Sequence, residues 1–370
     1  MTRAGLCFAA IQLFFVTTWT VYVIFLPQLA AQAGIDKRWV IYVLMADQLI
    51  FAAMDLTMGL RADRVVRNAG RLGPMMVGLT AVSCAAFLLL PLAAAAGSPF
   101  LFLAVIAVWA LTSSALRAPQ MALLGKYVPA PAVPWMTSLV LVGVGVAGAI
   151  GPPLTVLLRN VDPRAPFALC SVALLIMATS VLWAEKHLAF KPRPTVVAPQ
   201  PPTGRVLVFY GALLLLCLGF QLAFTFNAPA QYLRFAKPAD VPYLLPVFWA
   251  GFCMAMFPAQ RATSRFGGIA VMAAGGLVGA VAAWLAAHAA SLSAVVTGQF
   301  IAGAAWGAIL MSALAAAIAI GRTGRVGVAT GGLFSLLAVA TFARMTMVAT
   351  QVSAAPGGYP VLLAWLPVAL

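Results

Sequence analysis

Apolar runs long enough to cross a membrane recur along this chain from Ala4 to Leu370, with only short polar breaks between most of them. A helix rises about 1.5 Å per residue, so roughly 20 apolar residues span a hydrocarbon core about 30 Å thick. Runs of this kind fall near 4–30, 39–60, 74–95, 100–124, 135–157 and 167–184. They resume near 206–230, 242–260, 268–288, 294–320, 326–349 and 354–370. In lipid each backbone polar group must find its partner within its own segment, so these runs predict helices. The first run is too long for a signal-peptide core and reads as a retained span. A content of 64% hydrophobic and 8% charged residues excludes a water-soluble globule, in which about a quarter of residues are charged.

One Pro-rich polar stretch, residues 187–204, stands between the sixth and seventh runs. Such composition resists helix and marks a linker. The expected organisation is therefore a six-helix bundle over 1–184, a linker over 185–205 and a second six-helix bundle over 206–370. The twelfth run is clean only over 359–370 and follows Pro356, Gly357 and Gly358, so its helix is expected to be short or incomplete. The net charge of +15 would suggest a nucleic-acid partner in a soluble protein, but here the basic residues lie between the runs. Placing both termini in the cytoplasm puts 14 Lys/Arg inside and 6 outside. That excess follows the positive-inside rule and predicts a multi-pass protein of a bacterial inner membrane that meets lipid and no nucleic acid. Cys7, Cys84, Cys170, Cys217 and Cys253 are scattered singly in apolar segments and read as small packing residues.

Residues 55–64 (DLTMGLRADR) lie where the second span reaches the cytoplasmic side. They resemble the loop motif D-x-x-x-G-x-x-x-D-R-x-G-R of the major facilitator superfamily, with Asp55, Gly59, Asp63 and Arg64 in place and Val66 where the second Gly belongs. Arg117-Ala-Pro-Gln120 is similar to the superfamily's fourth-helix pattern. Gly148-Ala-Ile-Gly-Pro152 resembles the core of its antiporter motif, without the trailing Gly-Gly. An offset of 203 carries Pro27-Gln28 onto Ala230-Gln231, and about that offset sets Ala62-Asp63-Arg64 against residues 264–267, with Ser264 where the motif wants an acid. The resemblance implies an all-α membrane fold of twelve helices in two pseudo-symmetric bundles. It also implies secondary transport of a small molecule by alternating access, by a monomer. Apart from any family, the stripes Gly143/Ala147/Gly151 and Gly327/Gly331/Ser335 predict close helix approach.

Charges inside a bilayer are costly and mark function or a partner. Four fall within spans: Asp47, Asp55, Arg117 and Arg344. Asp55 and Arg117 lie about 24–25 Å below the outer ends of their helices, which predicts a pair near the cytoplasmic side. Asp47 and Arg344 are nearer the outside, and helices 2 and 11 face each other in the family, so an outer gate pair is expected of them. Asp47 is the acid expected to exchange a proton during the cycle. Helices 1, 4, 7 and 10 line the family's cavity. Their polar and aromatic residues are the candidate solute contacts: Gln12, Thr18, Tyr22, Trp109, Ser113, Gln120, Gln221, Thr225, Asn227, Gln299 and Trp306.

The chain lacks a phosphate-cradling Gly-rich loop, and His187 and His288 stand alone. No metal, cofactor or enzymatic chemistry is therefore expected. The reading that follows is a proton-coupled secondary transporter of a small organic solute, with export favoured over import. The alternative is a transport-inactive protein of the same shape that assists assembly or senses a ligand.

Overall fold

The computed structural model describes residues 2–68, 71–113, 116–189 and 202–350, and these are helical almost throughout. Among the described residues eleven segments are long and apolar enough to cross a membrane, each on one of the first eleven runs. The run near 354–370 lies outside the described residues, as does most of the linker. Span 1 is α1 (Thr2–Gln32), span 2 is α2 (Val40–Asn68) and span 3 is α3 (Gly73–Ala95). Span 4 divides into α4 (Pro99–Ser113) and α5 (Ala118–Tyr127). Spans 5 and 6 are α6 (Val133–Leu157) and α7 (Arg164–Ala189). Span 7 comprises α8 (Thr203–Phe220), a π-helical segment (Gln221–Asn227) and α9 (Ala228–Leu233). Span 8 comprises α10 (Val241–Leu244) and α11 (Pro246–Phe266). Spans 9 to 11 are α12 (Gly268–Ala287), α13 (Leu292–Gly321) and α14 (Val326–Ala349).

The irregularities have local causes. Proline has no N–H and its ring clashes with the carbonyl four residues earlier, so Pro119 breaks span 4 beside Arg117, which leaves the helical region at φ −102°, ψ −88°. In span 7, Pro229 cannot bond back to Thr225, and the turn before it widens: the Ala228 N–H bonds to the Ala223 carbonyl, five residues back. Pro246 likewise divides α10 from α11. Between α11 and α12 the chain reverses on Gly267 alone, at φ 85°, where a Cβ would be strained.

Lipid tails are as apolar as leucine, so helices here are held by close packing and polar contacts rather than by apolar burial. In the first half α1 packs on α6 and α7, and α3 on α4 and α7. In the second, α13 packs on α11, α12 and α14, and α14 on α8. Two seams join the halves, α2 with α14 and α6 with α11. Glycines set the spacing. A Cβ on Gly143 would overlap the Ala9 carbonyl, and one on Gly303 the Phe248 carbonyl. On the first seam, Gly59 and Gly327 meet backbone to backbone, and Gly331 lies on the Asp55 carbonyl. One turn further, the Ser335 hydroxyl donates to the Ala52 carbonyl. The end of the helices at which α14 begins, with Arg61 and Arg64 of α2 near Asp63 and with Arg322 and Arg325 just before α14, is here called the basic end.

Because Gly303 has no room for a side chain, Gly303→Val is expected to cost roughly 1–3 kcal/mol, the usual range for overpacking. Gly211 faces open space. A clear drop in melting temperature of the detergent-solubilised protein for Gly303→Val, with none for Gly211→Ala, checks this.

Candidate functional site: a cavity at the seam

At mid-depth, between the first-half helices and α13 and α14, lies a cavity of about 230 Å³. Its polar lining comes from Gln12 and Thr18 of α1, Gln48 of α2, Thr80 and Ser83 of α3, and Thr112, Ser113 and Arg117 of span 4. Phe334, Leu337 and Thr341 of α14 and Leu310 of α13 close it from the second half, and Phe15, Trp19, Phe51 and Trp109 form its aromatic wall. Most of the hydroxyls bond to a carbonyl of their own helix, as Thr18 does to Phe14 and Thr80 to Met76. With the proton given to the helix, these oxygens face a guest as acceptors only.

The floor is ionic. Arg117 Nη1 stands 3.0 Å from Asp55 Oδ2, with Asp55 fully enclosed and the Arg117 side chain 15% exposed toward the cavity. The guanidinium also lies over the Phe334 ring at 5.1 Å. The helix break at Pro119 lets Arg117 depart from the helical path at this depth, so a feature that looks like a packing fault sets a cation on the cavity wall.

Asp47 occupies a different place. It is 1% exposed and accepts a hydrogen bond from the Tyr22 hydroxyl at 2.7 Å. The Tyr22 ring packs on Trp109 (4.5 Å between centroids) and on Trp19 (5.4 Å), both of which line the cavity. Asp47 therefore touches the cavity only through aromatic rings, while its own edge borders an apolar groove between α2 and α4 with Trp39, Tyr42 and Leu103. No ion pair joins it to Arg344. Arg38 pairs with Asp36 and Arg117 with Asp55.

At the basic end Asp63 holds the halves together. Its two carboxylate oxygens accept from the backbone N–H groups of Gly327 (2.7 Å) and Val328 (2.9 Å), in the first turn of α14. Those donors have no partner within their own helix, and the positive end of the helix dipole faces the carboxylate. Gly59, one turn back, makes the approach possible. Arg64 is exposed. Arg322 adds a second strut, donating to the Val128 carbonyl at 2.9 Å.

The remaining candidates divide. Gln12 lines the cavity but also donates to Gln120, which is wholly buried and donates in turn to the Phe8 carbonyl; that pair ties α1 to α5. Gln299 donates to Gln231 and ties α13 to α9. Trp306 is buried and stacks on Phe220 at 4.4 Å, away from the cavity. Gln221 reaches its rim by donating to Thr341. Thr225 and Asn227 lie half-buried on the π segment. Gln48, Thr80, Ser83, Thr112 and Thr341 were missed; a polar stripe on span 3, Thr80 and Ser83 three residues apart, was the available signal. Glu185 was missed too: it accepts from the Leu72 and Gly73 N–H groups (2.8 Å each) and caps α3.

Removing the Asp63 carboxylate deletes two charge-assisted hydrogen bonds, each worth about 1.5–3 kcal/mol. In Asp63→Ala a cysteine placed at Val326, now buried at the seam, is expected to react with an impermeant maleimide about tenfold faster. For the floor, Asp55→Asn leaves a cation unpaired and should lose roughly 3–5 kcal/mol of stability, whereas the double variant Asp55→Asn/Arg117→Gln should recover much of it. Thermal melts of the two singles and the double measure that coupling.

Comparison with known proteins places this geometry. No curated protein sequence matches the chain significantly. Among solved structures it is similar to the human organic anion transporter MFSD10 (TETRAN), at 14% identity and a TM-score of 0.77, covering 100% of this chain and 97% of that one. It is similar also to the E. coli fucose:proton symporter FucP (16%, TM-score 0.63, 100% and 95% covered). A bacterial homologue of the iron transporter ferroportin, in an outward-facing state, gives 12%, a TM-score of 0.72 and coverages of 99% and 97%. At these identities the likeness is one of fold. The model of the Major Facilitator Superfamily matches residues 8–355, and the chain, a multi-pass membrane protein, belongs to that family of transporters.

Proposed function

We propose that the protein is a secondary active transporter that carries a small organic solute by alternating access, coupled to proton movement through Asp47. The observation that carries this reading is the partly open cavity between the halves, aromatic and aliphatic with a few hydroxyls, amides and Arg117 in its wall, and with the halves joined at the basic end by Asp63. A largely apolar hole with a few hydroxyls, amides and one guanidinium suits a compact amphipathic organic molecule. Residues 1–184 and 206–370 rock as two bodies about the seams, with the basic end and both termini in the cytoplasm of a bacterial inner membrane. In the conformation described, the cytoplasmic side is closed.

Asp47 suits a coupling role because it is buried, bonded to a neutral phenol and without a cation within 4 Å, whereas Asp55 is held by Arg117. A proton gained or lost there changes the Tyr22 bond, and Tyr22 passes the change to Trp109 and Trp19 on the cavity wall. A solute moving those rings acts back on Asp47 by the same contacts, as linkage requires. The Gly148–Pro152 likeness to antiporters favours export.

Reconstituted protein in liposomes, screened with labelled carboxylates, amides and sugars with and without a pH gradient, tests the reading. In Asp47→Asn gradient-driven flux is expected to fall at least about tenfold while solute-for-solute exchange persists, a barrier change of ~1.4 kcal/mol or more. Gradient-driven flux equal to wild type in that variant would remove the coupling assignment.

A further inference from the structure

We infer that Arg344 is an anion-recognition residue at the outer mouth of the cavity, binding a carboxylate or similar oxyanion of the solute. This rests on the transport reading above and names its substrate class. The chain has seven acidic side chains, all among the described residues. Asp36 and Asp162 lie exposed in loops, Asp36 bonded to the Arg38 N–H and Asp162 to that of Arg164. Asp240 is exposed at the start of α10. Glu185 and Asp63 cap α3 and α14, Asp55 holds Arg117, and Asp47 is bonded by Tyr22.

None is paired with Arg344, although its Nε is enclosed and makes no hydrogen bond. A cation in a low-dielectric setting is unfavourable without a counter-charge, and the second half offers no acid in its spans. The counter-charge must then come from outside the chain or from a rearrangement.

Position favours the former. Phe334, Leu337 and Thr341 form the stripe by which α14 faces the cavity, and Arg344 is the next residue on that stripe. It stands about 4.5 Å outward of Thr341 and about 15 Å outward of Phe334, the ring under the Arg117 guanidinium. Two guanidiniums thus mark the top and bottom of one wall. The lower is neutralised by Asp55, whereas the upper has its Nε enclosed and without a partner. A guanidinium binds a carboxylate through two parallel N–H bonds, which a neutral amide cannot reproduce. An anion held at Arg344 would place its body against the aromatic wall below.

Trp19 and Trp109 on that wall report binding. With 4-nitrobenzoate and its uncharged match 4-nitrobenzamide as quenchers of tryptophan fluorescence in the purified protein, the carboxylate is expected to bind about tenfold tighter or more. Arg344→Gln should bring the two within about twofold, while Arg344→Lys, which keeps the charge, retains a measurable preference. Asp47→Asn should leave the preference intact. Equal binding of the two probes to wild type, no quenching by the carboxylate, or an undiminished preference in Arg344→Gln would overturn the inference. So would a loss in Asp47→Asn equal to that in Arg344→Gln, which would make the pair a gate. A charge preference in a protein that moves nothing in liposomes would sink the transport reading and leave the anion site standing.

Discussion

The backbone-to-backbone contact of α2 and α14 at Gly59, Gly327 and Gly331 organises the rest of the molecule. In lipid, dispersion and polar contacts between helices must supply what water supplies to a soluble core, and both fall off steeply with distance. Removing side chains from the seam lets Asp63 reach the first turn of α14 and brings Phe334 over Arg117. It also brings Thr341 and Gln48 into the lining of one cavity. A single methyl group at Gly59 would move all three.

Negative charge is scarce in this chain and is spent on geometry. Asp63 and Glu185 each neutralise the start of a helix distant in sequence, joining segments that no apolar contact could fix in register. Asp55 is placed so that Arg117 can stand at a cavity wall in the membrane interior. A paired buried charge adds little to stability compared with a well-packed apolar pair, so its presence is better understood as holding a cation in position than as cement.

Much of this was legible in the letters. Eleven spans follow from run length alone, the loop motif located Asp63 and Gly59, and helical rise put Asp55 and Arg117 at one depth. Rise gives height but not azimuth, and that is why Asp47 and Arg344 were matched across the interface when Asp47 in fact turns inward to Tyr22. The same blindness assigned Gln120, Gln299 and Trp306 to the cavity, when two of them are amide ties between helices and the third is a stacked core residue. Pro119 and Pro229 were visible, but a proline announces an interruption without saying whether the helix breaks, as in span 4, or widens, as in span 7.

The two seams differ in kind, and the difference has a mechanical meaning. Ser264, at the position equivalent to the motif acid, bonds back to Gln260 of its own helix. The α6–α11 seam instead lays the Trp249 and Phe252 rings over Gly148 and Gly145. Flat rings on bare backbone can slide with little change in energy, whereas the Asp63 cap must be undone before α14 swings away. In the proposed rocking motion one flank serves as a bearing and the other as a latch, so a single carboxylate would set the threshold at which the inner doorway comes unfastened.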